Sequence, residues 1–295
     1  FTGSVRFDST QYRYDNLIAD GTTKADGSAC VNNSNVAIDC LFKRPSDSND
    51  SFDNTSTKLG FNYRLNNDVA LFGSWSQRFR APQTTDMYRL QNQQLEGEIE
   101  SEQLDSVELG LRGLSNSLTY EVVVYRMEKD NFFFRDGQGL NVTDGETSHQ
   151  GLELSINYEL TEQLSVAVNY SYGDHEYEFD HASSGVVKGN QIDTAPEQLA
   201  NVRLSWQPTE KSQLELEWLH MGEYYLDPAN AHEYDGHDLL QLRGSMAINN
   251  HVRLFARIEN LADEQYASRA DYAFGSYRFF GGQPRAIHLG VAINF

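Results

Sequence analysis

The sequence predicts an all-β protein, an antiparallel transmembrane β-barrel of about twelve strands. Three observations predict this fold: apolar and polar residues alternate in segment after segment, aromatic residues make up 12% of the chain, and short polar turns recur between the segments. Strict alternation indicates a strand with one apolar face, and aromatic side chains fit a pleated surface. The longest apolar run, Val122 to Tyr125, is far shorter than the roughly 20 residues that a membrane helix requires.

Composition excludes nucleic-acid binding. The 295 residues include 23 Lys and Arg against 43 Asp and Glu, a net charge of −20. A DNA or RNA binder needs a basic face to neutralise phosphates. The chain begins at Phe1 with neither an initiating Met nor a signal peptide, so we expect a processed product or a piece of a longer protein.

Tight turns mark the positions of the predicted strands, which lie on either side of each turn. Five tight turns rich in Asn, Ser, Thr and charged residues are typical of hairpin reversals: Asn66-Asn67-Asp68, Ser115-Asn116-Ser117, Thr161-Glu162-Gln163, Thr209-Glu210-Lys211 and Asn249-Asn250-His251. Each turn is flanked by alternating apolar positions, such as Leu59, Phe61 and Tyr63 before the first turn. The connections at the other strand ends are long: 17–54, 81–101, 131–146, 180–196, 227–237 and 261–283. Short turns at one end and long loops at the other are typical of outer-membrane barrels.

The two faces of these strands favour lipid on one side and water on the other. Aromatic residues in the apolar register gather near both strand ends, as they do at membrane interfaces: Tyr63, Tyr120, Tyr158, Trp206 and Phe295 near the turns, and Tyr172, Trp218, Tyr224 and Tyr225 near the loops. The alternate face carries charges of both signs: Glu108, Arg112, Glu153, Arg203, Arg243, Arg253, Arg257 and Glu259. A β-propeller and a soluble β-sandwich or barrel are the alternatives, but a propeller blade needs about four strands per repeat.

Five motifs lie in order along the chain. The first is Gln77-Arg78-Phe79-Arg80-Ala81-Pro82 with the later triplet Asp86-Met87-Tyr88. Four more follow: Leu95-Glu96 through Glu100-Ser101-Glu102 to Val107-Glu108-Leu109-Gly110, Gly151-Leu152-Glu153-Leu154, Asn260-Leu261-Ala262-Asp263-Glu264-Gln265-Tyr266, and Gly282-Gln283-Pro284-Arg285 through Phe295. Over residues 60 to 295, these motifs and their order resemble those of the TonB-dependent outer-membrane receptors.

The resemblance implies the fold and the function together. It implies that residues 1–295 are one domain, the C-terminal portion of a 22-stranded barrel whose plug and TonB-contacting segment would lie upstream. It also implies a bacterial outer-membrane location, contact with outer-membrane lipid and lipopolysaccharide, and uptake of a scarce nutrient. An iron-siderophore is the expected ligand, and vitamin B12-like, haem and glycan ligands are the alternatives. The alternative is a complete twelve-stranded barrel acting as a passive pore or an enzyme, in which the first strand would pair with the last.

Candidate ligand-binding residues lie at the predicted mouth. They are Arg78, Arg80 and Tyr88 on one side, and Tyr272, Arg278 and Phe279 in the last long loop. Arginine holds carboxylate or catecholate oxygens bidentately, and aromatic rings stack on flat chelates. The competing interpretation is that Arg80 and Arg278 only pair with acidic loop residues.

Other candidate sites are weaker. Cys30 and Cys40 lie ten positions apart in the first long loop, which suggests a disulfide in an exterior segment. The histidines show no metal spacing, although His175 with His181, or His232 with His237, could meet in a loop. No catalytic motif is present, so we expect neither an enzyme nor a resident cofactor or metal. Four long-loop segments hold 24 of the acidic residues and 5 of the basic ones, which indicates either attraction of cations or simple solvation.

Overall fold

The computed structural model describes residues 1–18, 20–24, 26–88, 90, 99–135 and 141–294. It contains eighteen strands and one helical turn: β1 (Thr2–Tyr14), β2 (Cys30–Val31), β3 (Ala37–Ile38), β4 (Ser48–Arg64), β5 (Val69–Arg80), α1 (Thr84–Met87), β6 (Glu102–Leu114), β7 (Leu118–Arg135), β8 (Asn141–Thr161), β9 (Leu164–Tyr177), β10 (Gln198–Thr209), β11 (Ser212–Met221), β12 (Tyr224–Tyr225), β13 (Glu233–Tyr234), β14 (His237–Ala247), β15 (Val252–Glu259), β16 (Ala267–Ala273), β17 (Ser276–Gly281) and β18 (Ala286–Ile293). Among the described residues, no helix is long and apolar enough to cross a membrane.

Twelve of these strands form one antiparallel sheet, which confirms the predicted strand number. Its order is β1-β4-β5-β6-β7-β8-β9-β10-β11-β14-β15-β18, and each strand pairs with the next long strand along the chain. The sheet is not closed, because β1 and β18 do not pair with each other. A complete twelve-stranded barrel would require that pairing, since an unpaired strand edge is costly in hydrocarbon.

The polar turns form because their side chains bind the backbone. The Asn66 side-chain oxygen accepts hydrogen bonds from the amides of Asp68 and Val69, both at 2.8 Å. Asn249 accepts from His251 and Val252 in the same way, at 2.8 and 2.9 Å. A side chain that satisfies the backbone locally reverses the chain within a few residues, so these turns set the register of the strands on either side.

Register separates an apolar face from a polar face. Leu109, Val124, Leu152 and Tyr172 lie side by side across β6 to β9 on the apolar face. Aromatic residues predicted for this face are partly open, with Tyr63, Tyr158, Tyr172, Trp206 and Trp218 between 36% and 63% exposed. The prediction for Tyr224 is wrong, because that ring is 6% exposed and packs inside a loop. Phe295 and the Leu95-Glu96 part of the second motif lie outside the described residues.

The polar face carries a network of charges. Arg243 pairs with Glu217, and its Nε lies 3.1 Å from Glu215 Oε1 but out of line for a hydrogen bond. The Asn201 amide donates to Glu217 at 2.7 Å, and Arg257 pairs with Glu259 at 2.5 Å. Charges of both signs on one face of β10, β11, β14 and β15 indicate a wet surface.

The predicted loop at 131–146 is largely wrong. Strand β7 continues to Arg135 and β8 begins at Asn141, with Phe132 paired to Gly145. Register shifts interrupt the pairing here, and Asn131 and Asp144 adopt positive φ angles of 55° and 65°. Bulges of this kind break the alternation of side chains, so polar strand residues in this segment resemble a loop.

The long connections contain structure of their own. The first holds the hairpin β2–β3, and β4 begins at Ser48 rather than after Asn54. The last two long connections hold the hairpins β12–β13 and β16–β17. A small apolar core lies between these last two hairpins and consists of Tyr224, Leu226, Ala267 and Ala270. These connections are therefore packed against one another.

Candidate functional site

The first group of predicted site residues lies on the polar face at the long-loop end. Arg78 and Arg80 are two positions apart near the end of β5, so both share the face of Ser76, opposite Ser106. Arg80 Nε lies 2.7 Å from Glu102 Oε2, and the Glu102 side chain is 9% exposed. Arg78 is exposed and has no ion pair or hydrogen bond with any residue that the structure describes. Arg78 therefore offers a guanidinium that is open to an incoming anion.

Tyr88 lies in the connection between β5 and β6 and contacts the long-loop ends of β1 and β4. Its hydroxyl donates to Asp50 Oδ2 at 2.6 Å, and its ring stacks on Tyr14 with centroids 5.1 Å apart. Burial, reinforced by the Asp50 carboxylate, raises the pKa of Tyr88 to about 12. The phenol is therefore a neutral donor throughout the physiological range. We call Arg78, Arg80, Tyr88, Tyr14 and Asp50 the arginine cluster because all five lie toward the long-loop end of β1, β4 and β5. Among the described residues, no contact joins the two arginines to Tyr14, Tyr88 or Asp50.

Sequence reasoning missed the contribution of β1 and β4 to this cluster. Tyr12 and Tyr14 alternate along β1 and lie directly opposite Asp50 and Ser48 of β4. Tyr12 packs edge-on against Phe52 at 6.1 Å. The alternation of Tyr12 and Tyr14 was a usable signal for one face, but only the pairing of β1 with β4 brings these aromatic residues to Tyr88.

The second group of predicted residues lies in the β16–β17 hairpin. Arg278 pairs with Asp271, which also lies 3.0 Å from Arg269 Nη2 and is 6% exposed. The Tyr272 ring stacks on His232 with centroids 3.5 Å apart. We call Tyr272, Arg278, Phe279, Asp271 and His232 the hairpin cluster. Arg278 is thus committed to an acidic neighbour, as the competing interpretation of the sequence expected.

Phe279 is the open member of the hairpin cluster. It is 57% exposed and stacks on Tyr277, which is 52% exposed, with centroids 5.9 Å apart. Phe274 at the tip of the same hairpin is 92% exposed. The hairpin therefore offers aromatic surface, whereas its charges are already paired.

Hydrogen bonds tie the hairpin cluster to the neighbouring loops. The amides of Ala270 and Ala267 donate to the hydroxyls of Tyr224 and Tyr234, both at 3.1 Å. The Tyr177 hydroxyl donates to Asp193 Oδ1 at 2.7 Å. Burial raises the pKa of the Asp193 carboxyl, and Asp227 and Asp271 add to the increase. The Asn190 side chain donates to the Pro228 carbonyl at 3.0 Å, so these contacts together hold three long connections in one packed unit.

The structure does not bring the two clusters together. Seven strands stand between β5 and β15, after which the hairpin cluster begins. Among the described residues, no hydrogen bond, ion pair or ring contact joins the arginine cluster to the hairpin cluster. A ligand held by either cluster would meet different chemistry: an open cation with a phenol at the first, and exposed rings at the second.

The suggested histidine pairs are also not formed. His181 Nδ1 contacts Ser184 Oγ at 2.8 Å, and His175 instead meets His149, with their Nδ1 atoms 2.9 Å apart. His232 pairs with Asp227, and His237 contacts the Tyr234 hydroxyl at 2.9 Å. Within the described part of the chain, no group of three or more His, Cys, Asp or Glu residues is placed to hold a metal ion.

Cys30 and Cys40 form a disulfide in the structure. Their sulfur atoms lie 1.99 Å apart, and the bond closes the β2–β3 hairpin. The Cys40 amide also donates to the Thr22 carbonyl at 2.8 Å.

We expect reduction to add the mass of two hydrogen atoms. Joint replacement by Cys30→Ser and Cys40→Ser should cost the first loop up to about 3 kcal/mol, the loop-closure value for this separation. Limited proteolysis should then cut within 15–47 while the β-sheet circular dichroism stays unchanged. An identical mass with and without reductant would refute the bond.

We expect Arg80→Ala to destabilise the protein more than Arg78→Ala does. Among the described residues, Glu102 would keep only the Phe133 amide, 3.2 Å away, as a partner for its nearly buried carboxylate. Removing one member of a buried pair costs several kcal/mol, and the half-exposed Arg80 reduces this to about 1–2 kcal/mol. Urea unfolding should show the difference, and Glu102→Gln should restore stability in the Arg80→Ala background. Equal stability of the two arginine variants would contradict this assignment.

Comparison with known proteins identifies the family. Residues 1–261 match the sequence profile of the family described as "TonB dependent receptor-like, beta-barrel". The probable TonB-dependent siderophore receptor PiuA of Acinetobacter baumannii is 24% identical over 207 residues, which cover 67% of this chain and 27% of PiuA. The vitamin B12 transporter BtuB of Photobacterium profundum is 23% identical over 250 residues, which cover 79% of this chain and 39% of BtuB. The chain thus spans between about a quarter and two fifths of these relatives' lengths.

Solved structures show the same fold. The ferric-catecholate import receptor Fiu of E. coli K12, in its closed form, superposes with a TM-score of 0.73 at 17% identity, covering 99% of this chain and 42% of Fiu. The ferric yersiniabactin uptake receptor FyuA of Yersinia pestis gives the same values. The predicted resemblance is therefore confirmed. The chain belongs to the family of TonB-dependent receptor β-barrels, whose members are outer-membrane proteins, so an outer-membrane location is implied by family.

Proposed function

We propose that this protein is the barrel portion of an outer-membrane receptor that takes up a scarce nutrient, a ferric siderophore, with energy delivered by TonB. The arginine cluster is the single observation that carries the proposal. Toward the long-loop end of the polar face, it combines a guanidinium that has no ion-pair partner among the described residues with the stacked rings of Tyr14 and Tyr88. The proposal treats residues 1–295 as one domain with the polar face inward and the apolar face against lipid and lipopolysaccharide.

The chemistry of the cluster suits a metal chelate. Siderophores bind iron through anionic oxygens on flat catecholate, hydroxamate or carboxylate groups. Arg78 can hold two such oxygens in parallel, and Tyr14 and Tyr88 can stack on a flat group. The Tyr88 hydroxyl remains protonated because its pKa is raised to about 12, so it adds no negative charge at the site. The aromatic surface of Phe279 and Tyr277 supplies a second contact on the far side of the mouth.

The acidic loops narrow the ligand class. Because four long-loop segments carry 24 acidic residues against 5 basic ones, a strongly anionic molecule would be repelled before it reached Arg78. A chelate with anionic oxygens but a low net charge, such as a ferric hydroxamate, meets both requirements. We therefore rank hydroxamates before catecholates and citrate.

A passive pore or enzyme is the less favoured alternative. The relatives with printed functions are receptors and transporters, and the edges of β1 and β18 are not paired with each other. The twelve strands therefore do not enclose a pore by themselves.

Uptake by living cells tests the proposal. The full-length gene product should be expressed in the outer membrane of a bacterium that lacks its own siderophore receptors. Uptake of radioactive iron supplied as ferric hydroxamate, catecholate and citrate complexes should be measured with and without a functional TonB. We expect uptake of at least one complex, and its loss without TonB. Uptake that continues without TonB would indicate a pore, and the absence of uptake of every complex would reject the siderophore assignment.

A further inference from the structure

Two histidines meet on the polar face between neighbouring strands. His149 of β8 and His175 of β9 are direct partners in the antiparallel register. Their Nδ1 atoms are 2.9 Å apart, and their ring centroids are 5.0 Å apart. Side chains directly opposite in a sheet share a face, so the two rings remain adjacent whatever the loops do. Neither ring has a carboxylate as a hydrogen-bond partner among the contacts that the structure describes.

The pair lies beyond the apolar band. At the same level on the other face stand Gln150 and Asp174, which are hydrogen-bonded to each other at 3.0 Å, and Ser148 opposite Glu128. Leu152 and Tyr172, the last apolar pair on that face, lie two positions closer to the tight turn. The pair is therefore at the long-loop end, on the inward side, where water and ions reach it.

A hydrogen bond orients the first ring. Thr147 Oγ1 lies 3.0 Å from His149 Nε2, and Thr147 is 2% exposed. When Nε2 carries the proton and donates it to this hydroxyl, the lone pair of Nδ1 points toward His175. Metal-binding histidines almost always have their second nitrogen held in this manner.

A glycine makes room for the second ring. A Cβ atom at Gly173 would lie 2.6 Å from His175 Nε2 and 3.0 Å from the Tyr125 hydroxyl. The ring of His175 can therefore lie flat over the strand only because residue 173 has no side chain. The Tyr125 hydroxyl lies over the same glycine.

The spacing of the two nitrogens suits a metal ion. Two metal–nitrogen bonds of about 2.05 Å at a right angle place their nitrogens about 2.9 Å apart. Right-angle pairs of nitrogen ligands are typical of square-planar and octahedral Cu²⁺ and Ni²⁺ sites. In the metal-free pair, the Nδ1–H of one ring donates a hydrogen bond to Nδ1 of the other. When a metal ion binds, that proton moves from Nδ1 to Nε2 of the same ring, and no electron is transferred.

We propose that His149 and His175 together bind one Cu²⁺ or Ni²⁺ ion at the extracellular end of the polar face, with water completing the coordination. The proposal does not rest on the proposed siderophore uptake, because the pair lies on β8 and β9, away from the arginine cluster. It assigns to the chain a binding site for a free divalent ion that is separate from any chelated iron.

Copper binding to the purified full-length protein in detergent tests the site. Electron paramagnetic resonance of stoichiometric Cu²⁺ should show two equivalent nitrogen ligands, and calorimetry should give one site that follows the affinity order Cu²⁺ above Ni²⁺. His149→Gln and His175→Gln should each weaken this site at least 10-fold. His251→Ala, at a tight turn on the opposite end of the sheet, is the matched control and should leave affinity unchanged.

Two further variants separate metal binding from a structural role. Thr147→Val keeps both histidine ligands but removes the hydroxyl that orients His149. It should lower the affinity for copper 10-fold or more, which is the range expected when a residue that hydrogen-bonds to a metal ligand is lost. Gly173→Ala should displace the His175 ring and lower the affinity for copper, while the β-sheet circular dichroism spectrum stays unchanged. The proposal would be overturned if the copper resonance spectrum and the copper affinity were unchanged in both glutamine variants. It would also be overturned if the spectrum showed a single nitrogen ligand.

Discussion

The substitution Val122→Arg is expected to lower the free energy of unfolding in a membrane by about 2–4 kcal/mol. This is the cost of a lipid-facing arginine near the bilayer midplane. Val122 lies on the apolar face opposite Leu111 and Leu154. It stands midway between Leu118 and Arg126, the ends of the apolar register of β7. The folded fraction in phospholipid vesicles, followed through urea unfolding, measures the effect.

The neighbouring Val123 provides the matched control. It is one position further along the same strand, lies on the polar face, and is opposite Gly110 and Glu153. Val123→Arg places the same guanidinium beside a carboxylate and water, so we expect little change in stability. Equal destabilisation by the two substitutions would mean that the apolar face does not contact lipid, and the membrane-barrel interpretation would fail with it.

The second large effect is expected at Arg78. Arg78→Ala should weaken binding of the transported ferric complex by about 10- to 100-fold, because a hydrogen bond to a charged group contributes roughly 1.5–3 kcal/mol. Arg78→Lys should recover only part of the affinity, since lysine keeps the charge but loses the planar fork. Fluorescence quenching of the full-length receptor by the ferric complex measures the dissociation constant.

Two substitutions of Tyr88 distinguish the contribution of ring stacking to ligand binding from that of hydrogen bonding in the same assay. Tyr88→Ala should weaken binding several-fold, because an aromatic pair contributes about 0.5–1.5 kcal/mol. Tyr88→Phe keeps the ring and should bind more tightly than Tyr88→Ala. Arg126→Ala is the control, because Arg126 lies on the other face and pairs with Glu128 at 2.9 Å. If Arg78→Ala and Tyr88→Ala both bind and transport as the unmodified receptor does, the arginine cluster is not the ligand site.

Much of the sheet could be predicted because its rules are local. A turn such as Asn66 to Asp68 is set by hydrogen bonds within three residues, and the alternation of Leu152, Leu154 and Ile156 is visible without knowing their partners. The bulged ends of β7 and β8 could not be predicted, because Asn131 and Asp144 break the alternation while cross-strand pairing still holds the segments as strands.

The candidate site was only partly predictable, because its contacts join residues that are far apart in the sequence. Arg78 and Tyr88 were visible through a motif, but the contacts of Tyr88 with Asp50 and Tyr14 bridge 38 or more residues of sequence. The pairing of Arg278 with Asp271 appears in the sequence as a possibility, and only the β16–β17 register makes it a contact. The meeting of His149 with His175 had no local signal, since it depends on which residue of β9 lies opposite β8.

The sequence by itself determined the alternating stretches of the twelve sheet strands, their tight turns, the two faces and the family, because each follows from spacing within a few residues or from motifs in order. The tertiary structure alone decided which side chains meet at the long-loop end. Register is a property of paired strands, and a shift of one residue would place every side chain of a strand on the other face. Contacts across strands therefore depend on the assembled sheet, while the sheet itself is specified locally.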